Sequence, residues 1–224
     1  MLIIVLIMSA VVHEVSHGYM AYRLEDNTAK DLGRLTLNPL KHLDLFGSII
    51  LPLILVLTKA NFFLAWAKPV PYNPYNLKDY KYGDLKVALA GPGSNLILAT
   101  VFGLMIRFWP IVFADKISLI TQFLTGDNNG LLASMSGSLL NSFFVLALLF
   151  CIINLALMIF NLIPIPPLDG SKILLTFLPE RGRLLFYRLE SWGFVILIIL
   201  IAMDAFQFVV PVLFAAFSLL TGIR

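Results

Sequence analysis

The chain is poor in charge and nearly devoid of cysteine, and each shortage excludes something. Cys151 is the one cysteine in 224 residues, so no disulfide can close within the chain, and cysteine usage says nothing about redox compartment. Charged residues make up 13% of the sequence, about half the ~25% of a soluble globular domain. No stretch is left over for a separate soluble domain, and neither repeats nor low-complexity tracts occur. The net charge of +3 and the pI of about 9.0 do not imply nucleic acid. The basic residues cluster beside apolar runs, where membrane topology accounts for them.

What fills the chain instead is hydrocarbon. It is 59% hydrophobic with a mean hydropathy of +0.91, and several apolar runs reach the ~18–20 residues that cross a bilayer. The pattern predicts an integral membrane protein. The first run spans Met1 to about Leu24. It lacks the basic n-region of a secretory signal peptide and carries polar residues where an apolar h-region would continue, so it is expected to be retained. Further spans are expected at about Leu85–Trp109, Ser138–Leu162 and 191–219. A weakly charged linker is expected at 110–137, a short helix at Ser171–Leu178 and a basic turn in "PERGRLLFYR".

Between the first two spans lie two polar stretches. "GRLTLNP" alternates apolar and polar residues before a proline and reads as a short strand. "KPVPYNPYNLKDYKYGD" (68–84) is too proline-rich for helix and reads as an extended loop. The positive-inside rule puts the loops after the first span and around 179–188 on the cytoplasmic face. Residues 46–67 are apolar but interrupted by Pro52, Lys59 and Asn61. With Lys-rich loops on both sides, this segment is expected to be re-entrant or interfacial.

The first span also holds "HEVSH" at 13–17. Ionisable groups cost on the order of 2.5–3.5 kcal/mol each at the centre of a membrane helix, and inside a span they are functional by default. On a helix, positions i and i+4 share a face, so His13 and His17 present two imidazoles to one point suited to Zn²⁺. Glu14 lies about 100° round the helix, free to act as general base on a metal-held water. A catalytic zinc takes three protein ligands and keeps one position open. The candidates for the third are His42, in a polar loop and expected at the surface or interface, Asp204 in "LIAMDAFQF" and Asp169 in "IPIPPLDGSK". Asp169 is the better candidate. The prolines forbid regular helix there, and irregular backbone at membrane depth exists only where protein or a water-filled cavity surrounds it. Asp204 reads otherwise as a polar contact between helices.

"HEVSH", "GRLTLNPLKHLD", "WAKPVPYNP", "AGPGSN" and "NLIPIPPLDG" occur in an order that resembles the site-2 protease family of intramembrane zinc metalloproteases, in its compact prokaryotic form. The likeness covers nearly the whole chain up to about residue 180. It implies one Zn²⁺ bound by His13, His17 and Asp169, with Glu14 as general base. Asn161, eight residues before Asp169, would support the oxyanion or the bound substrate. It also puts Gly91–Asn95 near the active site, although "GPGSN" would equally suit small-residue helix packing. The chain leaves no room for the PDZ or CBS domains of many relatives.

The expectation is therefore an all-α polytopic membrane protein of one domain, 1–224. It is a helical bundle of about five to six membrane segments, with a small strand or extended region after the first span and a broken helix carrying the Asp-Gly motif. Its site would hydrolyse peptide bonds in or near transmembrane segments of membrane proteins, as a multi-pass protein of the cell membrane. The substrate would unwind and could add to the edge of "GRLTLNP". The alternatives are a divalent-metal transporter, with His and Asp forming a transit site, and a non-catalytic zinc-binding membrane protein, which would usually offer four ligands. Oligomeric state stays open.

Overall fold

The computed structural model describes residues 1–58 and 66–223, and every regular element among them is helical. Three helices are long and apolar enough to cross a membrane: α1 (Leu2–Arg23), α4 (Gly83–Arg107) and α7 (Leu139–Asn161). Between α1 and α4 come α2 (Thr28–Asp31), a π-helical turn (Leu45–Ile50) and α3 (Leu51–Leu57). Next are α5 (Phe113–Thr125) and α6 (Asn128–Ser136). After α7 follow α8 (Asp169–Phe177), α9 (Glu180–Glu190), α10 (Gly193–Ala202) and α11 (Val209–Thr221). The central helix is α4, which packs on α1, α7, α8 and α11.

Sequence explains why α4 takes that place. Gly91, Asn95, Ala99 and Gly103 recur every four residues and are all buried, so this stripe lets neighbouring helices approach closely. A Cβ on Gly103 would lie 2.8 Å from Leu220 Cβ, which sets how near α11 can come. Leu89, Ile97, Val101 and Phe108 point outward and are exposed. Small and polar inside with large and apolar outside is the pattern of a helix solvated by lipid. Phe144, Leu148, Cys151 and Leu155 of α7 pack with Ile106 of α4, Leu119 of α5 and Phe217 of α11 in the main core.

The three long spans match expectation to within two residues at each end. Elsewhere the structure differs. No strand forms among the described residues. Arg34–Asn38 is irregular because Thr36 N–H turns back to Arg34 O at 3.0 Å and Arg34 itself binds the 68–69 carbonyls. The expected linker at 110–137 is the pair α5 and α6. Lys116 Nζ donates to the Ile106 and Arg107 carbonyls at 3.0 Å, satisfying the end of α4 and docking α5 on it. The basic turn is helix α9. The last apolar run is divided, because Asp204 adopts φ +54° and Phe206 turns inward onto Phe160 and the Ile163/Leu168/Leu197 cluster. His42 is buried, its Nε2 2.8 Å from Thr36 O and its carbonyl accepting from Lys68 N–H at 2.8 Å. The middle of the 46–67 segment lies outside the described residues.

One junction orients the loop against α1. Glu25 takes the left-handed conformation (φ +76°) that ends α1, and Asp26 N–H returns to Ala21 O at 3.0 Å. The Asp26 carboxylate then accepts from Thr28 N–H and Oγ1, Asn73 N–H and Asn76 Nδ2. Burial opposes its charge, but these donors, Thr28 first, hold its pKa below the ordinary 3.8. The carboxylate's contribution is therefore full above the ordinary value and is lost as pH falls through the lower, folded one. Asp26→Asn should lower stability by about 1–3 kcal/mol at neutral pH. In thermal melts of the detergent-solubilised protein, the gap between the two proteins should close as pH falls below ~4.

Candidate metal centre

The site begins with one helical turn. His13 and His17 of α1 point the same way, their ring centroids 4.7 Å apart and their planes at 84°. The near-perpendicular rings bring the two Nε2 atoms to 3.0 Å. Asp169 reaches them from the other end of the chain. Pro164, Pro166 and Pro167 cannot donate backbone hydrogen bonds, so the chain leaves α7 and folds back on its end in tight turns. Gly170 makes the return possible, since a Cβ there would lie 2.5 Å from Ile163 O and closer still to Leu162 O. Asp169 then opens α8, which packs on α4. Its Oδ2 lies 3.1 Å from His13 Nε2 and 3.2 Å from His17 Nε2.

These three atoms make a nearly equilateral triangle. A tetrahedral ion with bonds of ~2.0–2.1 Å holds its ligand atoms about 3.3 Å apart, so the residues fit zinc with only a small outward relaxation. Asp169 Oδ2 is also buried without a hydrogen-bond partner. An orphaned carboxylate oxygen at contact distance from two imidazole nitrogens suits a cation between them. Among the described residues, this is the one group of three His, Cys, Asp or Glu side chains close enough to hold a metal.

Glu14 is set apart, as its helix position requires. Its Oε2 accepts from Val70 N–H at 3.0 Å. That stretch of loop is clamped by the motif downstream of α1. Arg34 donates to Lys68 O and Pro69 O, and Lys68 N–H donates to His42 O. Tyr72 continues the loop, its hydroxyl donating to Asp84 Oδ1 at 3.2 Å and its ring beneath Lys172 of α8. Burial, then the Asp84 charge, raises the Tyr72 pKa, so the phenol stays a neutral donor.

The remaining candidates separate. Asn95 is wholly buried, its Oδ1 2.6 Å from His13 Nδ1. Asn161 ends α7 with its Nδ2 turned back onto Leu157 O at 2.9 Å, and no hydrogen bond from it reaches His13, Glu14, His17 or Asp169. Asp204 is exposed in the turn between α10 and α11. Three groups escaped the sequence reading: Val87 O, which binds His17 Nδ1 at 2.7 Å, and Ser9 and Asn154, which join the Asn95 side chain. Asn154 carried a visible signal, a polar residue in the apolar run "FCIINLALMIF".

Gly91 presses α4 against the rings. A Cβ there would lie 2.5 Å from His17 Cε1 and 2.7 Å from His13 Cε1, and closer still to His17 Nε2. Gly91→Ala should displace the imidazoles and lower bound zinc at least tenfold, while Gly93→Ala, whose Cβ would meet nothing, should bind as wild type. Metal content after purification and chelator competition checks both.

Comparison with known proteins follows the same lines. Residues 1–203 match the family model described as Peptidase family M50. The chain is 40% identical over 200 residues to the Bacillus subtilis (strain 168) protein named "Putative zinc metalloprotease YwhC", covering 89% of this chain and 78% of that one. It is 29% identical over 201 residues to "Putative zinc metalloprotease Rip2" of Mycolicibacterium smegmatis (strain ATCC 700084 / mc(2)155), covering 89% of this chain and 65% of that one. No solved structure matches the chain. With a family model matched over most of the sequence and the motif residues converging on one buried triangle, the chain belongs to peptidase family M50, the site-2 protease family.

Proposed function

We propose that this membrane protein is a multi-pass zinc metalloprotease of the cell membrane that cuts peptide bonds in or beside transmembrane segments of other membrane proteins. The observation that carries the reading is the triangle of His13, His17 and Asp169, with Glu14 one helix position away. Both relatives are named as zinc metalloproteases, and nothing in the family match favours a metal transporter. Three ligands also leave the fourth position of a tetrahedral ion open, which a purely structural site would close.

The whole chain forms one protease domain in this reading, with about five to six membrane segments. The helices α1, α4 and α7 are three of them, and the shorter α10 and α11 add to these. The 46–67 segment is the re-entrant one, a reading favoured by Trp66 N–H donating to Gly47 O at 3.2 Å and Ser48 Oγ donating to Trp66 O at 2.7 Å. The two ends of the apolar stretch meet at one level.

His13, His17 and Asp169 hold the ion. When bound, zinc polarises the scissile carbonyl and acidifies the attacking water toward a pKa of ~7. Glu14 accepts the water's proton on its carboxylate and returns it to the leaving amine. Val70 N–H, held by the Arg34 and His42 clamp, keeps one carboxylate oxygen oriented while the other stays free. Asn161 turns its amide from Leu157 O to the oxyanion when substrate enters, adding a hydrogen bond there. The substrate segment must give up its own helical hydrogen bonds first, so helix-breaking residues near the cut favour it.

Glu14→Gln separates binding from chemistry. The purified variant in liposomes should retain zinc at the wild-type ratio and lose at least 10²-fold in cleavage of a reporter transmembrane segment. Wild-type cleavage rates in the variant would remove Glu14 from the role of base.

A further inference from the structure

A histidine can offer Nε2 to a metal as a neutral ring only when Nδ1 carries the proton. For His17 this is settled locally, because Nδ1 lies 2.7 Å from Val87 O and a carbonyl can only accept. His13 is different. Its Nδ1 faces the side chain of Asn95 at 2.6 Å, and an amide turned one way accepts while turned the other way it donates. The orientation of Asn95 therefore decides which nitrogen of His13 carries the proton.

That orientation is set on another helix. The Asn154 amide group Nδ2 lies 2.8 Å from Phe150 O and 2.9 Å from Ser9 Oγ. Phe150 O is a backbone carbonyl and cannot donate, so the NH₂ of Asn154 must face it. Asn154 Oδ1 then faces Asn95 at 2.7 Å and needs a donor. The NH₂ of Asn95 supplies it, which turns Asn95 Oδ1 to His13, and an oxygen there requires a proton on His13 Nδ1. Reversing both amides would set the Asn154 oxygen against the Phe150 oxygen. Ser9, Asn95 and Asn154 are all 0% exposed, so no water can stand in for a lost partner.

We infer that Asn154, acting through Asn95 and seated on Phe150 O and Ser9, is a positioning residue that fixes the Nδ1–H form of His13 and so presents its Nε2 to the metal. This rests on the zinc-site reading above, but its test reads the ring directly and needs no cleavage. The same residues could serve only as polar packing between α1, α4 and α7, and the two roles predict different results.

The test uses the full-length protein in detergent micelles, loaded with cobalt(II) for proton NMR and with zinc for chelator competition. The exchangeable N–H protons of the two metal-bound rings should give two strongly shifted signals. In Asn154→Leu, the His13 signal should move and exchange faster with solvent while the His17 signal, held by Val87 O, stays in place and confirms the fold. The zinc dissociation constant should rise about tenfold. Asn95→Asp combined with Asn154→Leu should bring affinity back to within a few-fold of wild type, since a carboxylate accepts from His13 Nδ1 in either orientation. Ser9→Ala, a small change that spares Phe150 O, should move the His13 signal alone and by less. Unchanged signals and affinity in Asn154→Leu would overturn the inference. Displacement of both signals together, or failure of the double variant to recover affinity, would equally overturn it and leave packing as the role. Absence of both shifted signals in wild type would instead defeat the metal-site reading itself.

Discussion

Everything in this molecule follows from the cost of leaving a polar group unsatisfied in hydrocarbon. Two imidazoles, a carboxylate, two amides and a hydroxyl are buried within the bundle, where water cannot repair a missing partner. The rings, amides and hydroxyl find partners on different parts of the chain: His13 on α4, His17 on the backbone of α4, Asn95 on α7, Asn154 on α1, whereas Asp169 Oδ2 has no hydrogen-bond partner and faces the two rings. These bonds tie three helices at one level. Close approach then needs small residues, and α4 supplies them every fourth position. Tertiary structure and site chemistry are one set of contacts.

The long helices and the three side chains that meet in the triangle were legible in the sequence because their signals are local. An uninterrupted apolar run states its own length, and two histidines four apart state their shared face. Asp169 was legible because the prolines before it announce irregular backbone. What stayed hidden depended on partners far along the chain. The α5 helix is held by Lys116 meeting the end of α4, and nothing within 110–137 reveals that. The break at Asp204 sits inside a segment long and apolar enough to read as one span, and is stabilised by Phe206 packing on Phe160. "GRLTLNP" alternates like a strand, yet Arg34 is engaged with the 68–69 carbonyls, and among the described residues no strand forms to pair with it.

The sequence also left open whether "GPGSN" belongs to packing or to the site, and the structure gives both answers at once. Gly91 is small because imidazole rings lie against it. Asn95 is polar because one of those rings needs a partner. Between them the motif turns the face of α4 into one wall of the metal centre.

The two halves of that centre are separated by most of the polypeptide. As ribosomes deliver the chain, the amino-terminal helix enters the bilayer with its histidines and glutamate already in place, long before the aspartate has been made. A nascent hydrolase in that condition is mute. The cage can close only once α7 and the turn behind it exist to carry Asp169 back onto the first helix.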